Sequence, residues 1–475
     1  MPGTYKSYKN LPPLAGLCSF DEAARPGLSV EACVNRLKRY HYAFKRLHGI
    51  FTAHITAEPI YELKMAFSHH AYLCAEHTAA LRTRIGEMRE PPLGLDKVPA
   101  PHLEVLFDEI ISAPTTEERL LGLYEVVFPE LERVLAEHQV DTNPLADQPS
   151  IRFCKFASIE VTEMRRFGNQ SIDALVSPSQ RESAKAWLAG LQGLFEAAGT
   201  LSGKTPPAET KEPWRHYSVK PFTYDPKPQR DQRFPDPYNM GVNAEAFLYD
   251  KTLPVEPKTL MMFYKRLREI DVPEMMASII FETPDKPWDY YRDMTRQLWD
   301  EARHAMMGEV GFVSQGIDWH KVMVNFTWSL ALNTQLPPIE RHAVLYFIEQ
   351  GLMPKTGKRF EWEVGLASKN ALSGLFQDYD WADEVLHAKI GRDWYVSEIG
   401  DPKRAVDYGD SCWSKVLIDW NQWKEQGLTD HRNWWPDLYQ EACRQWETDP
   451  DDRVLAFETT YETMRADLRD ISASG

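Results

Sequence analysis

The sequence predicts an all-α fold on three observations. Apolar residues recur at spacings of three and four in both halves of the chain, β-branched runs are few, and neither a strand–helix–strand pattern nor a glycine-rich phosphate loop occurs. Helical periodicity starts near Ser29, breaks at Glu58-Pro59 and resumes from Ile60 to Met88. Further amphipathic stretches cover residues 115–139, 150–167 and 178–198. The first opens with Thr115 and, three residues on, Glu118, the spacing of a capping box. Residues 1–202 therefore read as an N-terminal helical domain.

From residue 203 to 257 the character changes, because prolines from Pro206 to Pro257 forbid a long helix. Interleaved aromatics such as Trp214, Tyr224 and Phe234 predict a strap held to the protein surface and not a free linker. Helices resume over 259–270, 273–282, 288–312, 318–333, 338–353, 359–376 and 381–395. Residues 258–398 thus form a second helical region, and 399–475 a tryptophan-rich helical extension.

Composition excludes several roles. Across 475 residues, 70 Asp+Glu outweigh 54 Lys+Arg for a formal charge of −16, which leaves no basic stripe for nucleic acid or anionic lipid. No apolar run spans a membrane, and the start MPGTYKSYKNLPP lacks the apolar core of a secretory signal, so a cytoplasmic location is expected. Six cysteines without CxxC spacing fit packed thiols in a reducing compartment. The aromatic load of 15 Trp, 20 Tyr and 21 Phe suits a deep pocket for a small organic molecule.

Two segments share one arrangement, Asp300-Glu301-Ala302-Arg303-His304 and Asp383-Glu384-Val385-Leu386-His387. On a helix, residues three apart lie on one face, so each Glu and His can aim at the same point. Glu301 also falls on the apolar stripe Tyr291, Met294, Leu298, Ala305, Gly308, and a carboxylate there must be paired, protonated or metal-bound. Bundles that hold two metals add one Glu from each of two further helices. Glu349, one turn beyond Tyr346 on an apolar helix, is the best third carboxylate, ahead of Glu363. Glu274 is the best fourth, on a helix that the turn Thr283–Pro287 folds back against Glu301, although Asp271 to Glu274 also reads as a capping box. Glu269 is its runner-up, and Glu282 lies too near the turn. An N-terminal group, Glu58, Glu62, His69, His70, Glu76 and His77, has Cys74 where a motif Glu would stand and reads as structural.

The paired D-E-x-x-H motifs, each preceded by a carboxylate-bearing helix, resemble the ferritin-like superfamily of dinuclear iron carboxylate proteins, over roughly residues 259–395. The resemblance implies a ferritin-like four-helix bundle, with Glu274, Glu301 and His304 on one metal and Glu349, Glu384 and His387 on the other. It implies two iron ions, manganese being an alternative, since carboxylates with one imidazole per metal suit those ions. It also implies that Asp300 orients His387 and Asp383 orients His304.

The activity expected from this resemblance is O2-dependent oxidation or oxygenation of a small organic substrate, with Glu301, Glu384 and Glu349 as the reactive carboxylates. A reductase or ferredoxin would supply electrons, and a homodimer is compatible with the resemblance. Tyr346, Trp299 and Trp381 read first as core aromatics and second as electron relays. The alternative function is a non-catalytic metal-binding or partner-binding scaffold.

Overall fold

The computed structural model describes residues 6–89, 94–208 and 212–461; parts of the N-terminal segment, the connector and the C-terminal extension lie outside these. The described residues form helices and contain no strand, and no helix among them is long and apolar enough to cross a membrane. The chain divides into two units, residues 1–50 with 73–223 and residues 51–72 with 224–475. This partition differs from the expected domains at two places: residues 51–72 group with the C-terminal half, and the proline-rich connector is split after Thr223.

The helices of interest are α1 (Val30–Ile55), α2 (Tyr61–Glu87), α3 (Pro101–Ile111), α4 (Thr116–Leu121), α5 (Phe128–Asp141), α6 (Gln148–Leu175) and α7 (Pro178–Ala197). They continue as α8 (Ala244–Tyr249), α9 (Lys258–Arg268), α10 (Asp271–Glu282), α11 (Trp288–Ser314), α12 (Thr327–Gln335) and α13 (Pro338–Gly351). The last are α14 (Lys358–Ala367), α15 (Ala371–Gly391), α16 (Pro402–Lys415) and α17 (Trp435–Trp446). The division between units falls within α1 and α2.

In the first unit α5 packs on α6 and α3 on α7. The Thr115 hydroxyl caps α4 by accepting the Glu118 N–H, as its spacing predicts. On α3, Glu109 is buried and gathers the connector: its carboxylate accepts the N–H groups of His216, Tyr217 and Ser218, the Ser218 hydroxyl and the Trp187 indole. The aromatic strap is thus anchored there by hydrogen bonds to one carboxylate, a role its sequence does not advertise.

In the second unit α11 packs against α9, α10 and α15, and α13 against α15 and α16. Two glycines let α9 and α11 approach closely. A Cβ at Gly308 would stand 2.2 Å from the Leu267 backbone nitrogen, and one at Gly311 would strike the Phe263 ring. The core runs from Leu260, Met262, Phe263 and Leu267 of α9 through Ala302, Ala305 and Phe312 of α11. The C-terminal extension joins it, with Trp434 against Tyr264 and Trp435 against Phe247.

One helix boundary matters for the site. The sequence puts a break near residues 377–380, whereas the structure breaks at Ser368 to Asn370, where Lys369 has φ +59° and Asn370 caps α15 by accepting the Ser373 N–H. Helix α15 is therefore continuous from Ala371 to Gly391, and Asp380, Glu384 and His387 share one face of it.

Candidate metal centre

Five of the six residues singled out from the sequence come together in the second unit. Glu301 and His304 lie on α11, Glu349 on α13, and Glu384 and His387 on α15, all buried. Their ligand atoms form two groups. Glu301, Glu349, Glu384 and His387 make one; Glu269, His304, Asp380 and Glu384 make the other, so Glu384 belongs to both.

Glu274 is not in either group. It sits in the first turn of α10 and pairs with the buried Lys64 and Arg230, while the Ser329 hydroxyl donates to its Oε2 at 3.1 Å. Asp271 is inside the helix and not its cap, so the expected capping box does not form. The carboxylate from this part of the chain is instead Glu269, at the corner where α9 ends. The chain turns there directly from α9 into α10, and the α9–α11 contact at Gly308 brings that corner to His304, whose Nδ1 is 3.4 Å from Glu269 Oε2. Glu363 is exposed and bonds Arg359, and Glu282 pairs with Arg341.

Both imidazoles are oriented from behind. His304 Nε2 is 3.1 Å from Asp383 Oδ2, and His387 Nε2 is 3.4 Å from Asp300 Oδ2, which leaves each Nδ1 facing the carboxylates. Arg303 pairs with both Asp300 and Asp383, and Arg296 donates to Asp300 at 2.9 Å. An acid that accepts from one ring nitrogen fixes the tautomer, so the other nitrogen presents its lone pair to a cation.

The inward atoms lack hydrogen-bond partners. Glu269 Oε2, His304 Nδ1 and Asp380 Oδ2 in one group, and Glu349 Oε2, Glu384 Oε2 and His387 Nδ1 in the other, are buried without one. Leaving a buried polar atom unsatisfied costs about 1–3 kcal/mol and more for a charge, and the two groups of converging atoms could each hold a metal ion.

Ionisation follows the same logic. Burial works against a charged imidazole, yet Asp383, which bonds it, and the facing Glu269 and Glu301 outweigh it and raise His304 to about 10. His387 is likewise raised well above its ordinary value, against burial, by Asp300, Glu301 and Glu384. Burial and then the facing Glu384 push Glu349 up, whereas Glu384 is held far down, burial notwithstanding, chiefly by Lys358. A metal ion bound here would have to displace the protons from both imidazoles. Hard oxygen donors with one imidazole per group fit iron or manganese.

Three participants escaped the sequence reading. The expected break at 377–380 takes Asp380 out of the helix, although the D-x-x-x-E-x-x-H run continues the helical spacing. Lys358, which follows Gly357 at the start of α14, is buried and bonds Glu384 and Asp380; a cation at a helix N-terminus is unfavourable unless paired, and that was the available signal. Gln297 donates to Glu349 Oε1 at 3.1 Å from two turns before His304 on α11.

Tyr346 packs on Tyr395, Trp381 lies near Trp362, and Trp299 stacks on His69 at 4.5 Å. The N-terminal Glu/His group is dispersed among other partners: Glu62 pairs with Arg233, His70 meets Phe51 edge-on, and His77 pairs with Glu160. Comparison of the chain with protein-family models, curated proteins and solved structures found no match in any of the three.

Proposed function

We propose that this chain is a dinuclear iron, or manganese, carboxylate enzyme of ferritin-like type that uses O2 to oxidise a small organic substrate. The observation that carries the reading is the convergence of six unsatisfied, buried ligand atoms into two groups that share Glu384. Helices α9, α11, α13 and α15 would be the four helices of the bundle. Each of two contributes one Glu, Glu269 and Glu349, and each of the other two a Glu-x-x-His pair, which is the ligand plan of dinuclear carboxylate bundles.

In this reading Glu269, His304, Asp380 and Glu384 hold one metal, and Glu301, Glu349, Glu384 and His387 the other. When bound, the pair would supply the electrons and open coordination positions for O2 reduction. The chain's own residues set the frame: Asp383 and Asp300 hold the imidazoles, Gln297 positions Glu349, and Arg303 ties the two aspartates together. Glu349, which draws a proton in the metal-free cluster, is the carboxylate best placed to pass one on. A reductase or ferredoxin would renew the electrons.

The test is metal content of protein from iron-supplemented culture beside the Glu301→Ala/Glu384→Ala double variant. About two irons per chain in the wild type and none in the variant is the expected result. O2 consumption with a reductant then separates an enzyme from a metal-holding scaffold. Metal-free wild-type protein would overturn the reading.

A further inference from the structure

We infer that the two metal positions are unequal: a cation fills the His387 position first, and the His304 position second and more weakly, because the Lys358 ammonium already serves the carboxylates of the latter. The inference rests on the metal-binding reading of this cluster and goes beyond it, since the ligand plan alone would make the two positions alike.

Lys358 enters the cluster from the first residue of α14 and is 1% exposed. Its Nζ lies 2.7 Å from Glu384 Oε1, 2.9 Å from Asp380 Oδ1 and 3.7 Å from Glu269 Oε1. These are the three carboxylates of the His304 group. Arg266, fully buried on α9, adds a second fixed cation: its guanidinium lies 2.9 Å from Glu269 Oε1 and pairs with Asp380 as well. Lys265 is directed elsewhere, to Glu361. Every acid of the His304 group therefore has a fixed positive partner on one of its two oxygens, and only the second oxygen remains for a metal.

The His387 group shares Glu384, and with it Lys358, but its other two acids are set differently. Among the described residues Glu301 and Glu349 have no lysine or arginine partner. Glu301 faces His387 Nδ1 at 3.1 Å and His304 Nδ1 at 3.5 Å, and Glu349 has the neutral Gln297 amide. A group in which one acid of three has a fixed cation attracts a divalent ion more strongly than one in which all three do. An incoming ion is also repelled by Lys358 at short range in a medium that screens poorly. The extra acid, Asp380, and the extra base, Lys358, thus enter as a pair. Together they hold the His304 position in shape while only the His387 position is filled, which gives the chain a stable one-metal state.

The experiment is titration of metal-depleted full-length protein with Mn(II). Retained metal is measured after gel filtration, and coupling between ions is read by electron paramagnetic resonance. Wild type is expected to show an isolated Mn(II) signal up to one ion per chain, with a second step at least about tenfold weaker. Lys358→Met is expected to bring the steps together, with spin-coupled pairs forming below one equivalent. Should that variant not fold, His387→Asn and His304→Asn decide: the first removes the tight step and the second leaves it. Two equal steps with coupling from the first addition, or loss of the tight step in His304→Asn, overturns the inference while leaving the metal centre standing. No Mn(II) bound by wild type overturns the metal reading, and the inference with it.

Discussion

Two buried carboxylates, Glu109 in the first unit and Glu384 in the second, are surrounded in opposite ways. Glu109 meets neutral donors on both oxygens and is held below its ordinary pKa, against burial, by the Ser218 hydroxyl and the N–H groups of residues 216–218. Glu384 has Lys358 on one oxygen and an unpartnered second oxygen turned toward other acids. Asp147 of the first unit sides with Glu109: Thr142, Arg84 and the Cys33 thiol all bond it, and burial followed by Asp147 itself pushes that thiol up to about 12. Burial alone therefore does not mark a functional acid. What sets Glu384 apart is the convergence of unpartnered atoms around it.

The largest way to sharpen the comparison is pH, because imidazoles split along the same line. His41 and His48 in the first unit, and His70 and His342 in the second, are driven down by burial to about 3, 4, 3 and 3. Below their unfolded pKa near 6.5 the unfolded chain takes up protons that the folded one refuses. Stability therefore falls as pH drops from 6.5 toward 3–4, by up to about 1.4 kcal/mol per pH unit for each. His304 runs the other way. Raised to about 10, it stabilises metal-free protein fully below pH 6.5 and loses that contribution as pH rises through 10. Urea denaturation of metal-free protein across pH 4 to 10 should show both slopes. A flat profile would show that these imidazoles are not set by their surroundings as described.

Next in size is Glu109→Ala, which strands the Trp187 indole, three backbone N–H groups and a hydroxyl; the expected cost is about 3–5 kcal/mol. Tryptophan fluorescence in denaturant measures it, and metal content of the folded fraction should stay at the wild-type value. A cost under about 1 kcal/mol would remove Glu109 as an anchor of the strap.

Gly308→Ala is expected to cost about 1–3 kcal/mol, since its Cβ meets backbone that must shift. Because the same contact carries Glu269 to His304, the variant should also retain less metal at that position, whereas Ala at Gly193, where a Cβ meets nothing within 4 Å, should do neither. Thermal melts with elemental analysis compare the two.

Much of this was legible in the sequence, and the exceptions share a cause. Helical spacing identified α11, α13, the second half of α15 and both Glu-x-x-His pairs, because each pair falls at the helical spacing of three. What failed was the placement of corners. Pro273 suggests a new helix start and so favours Glu274, but the chain turns earlier and brings Glu269 to His304. Asp380 was hidden by a break assigned ten residues late, and Lys358 by its distance in sequence from the acids it serves. Spacing reports which side chains share a helix face; it does not report which face a second helix brings to meet it.

The finest break in the comparison is within the proposed metal centre, between two positions with matching supports. Asp383 bonds His304 at 3.1 Å and Arg303 at 2.8 Å, and Asp300 stands behind His387 at 3.4 Å. Asp383→Asn keeps the shape but removes the charge that favours a metal-binding His304, and its amide can present an N–H where Nε2 needs an acceptor. The expected loss is about tenfold in metal affinity, confined to the weaker step. Asp300→Asn should act on the tight step instead. If either aspartate affected both steps equally, the two imidazoles would be answering to one shared charge cluster through Arg303 and not each to its own carboxylate, and unchanged affinity in both variants would remove the aspartates from the centre altogether.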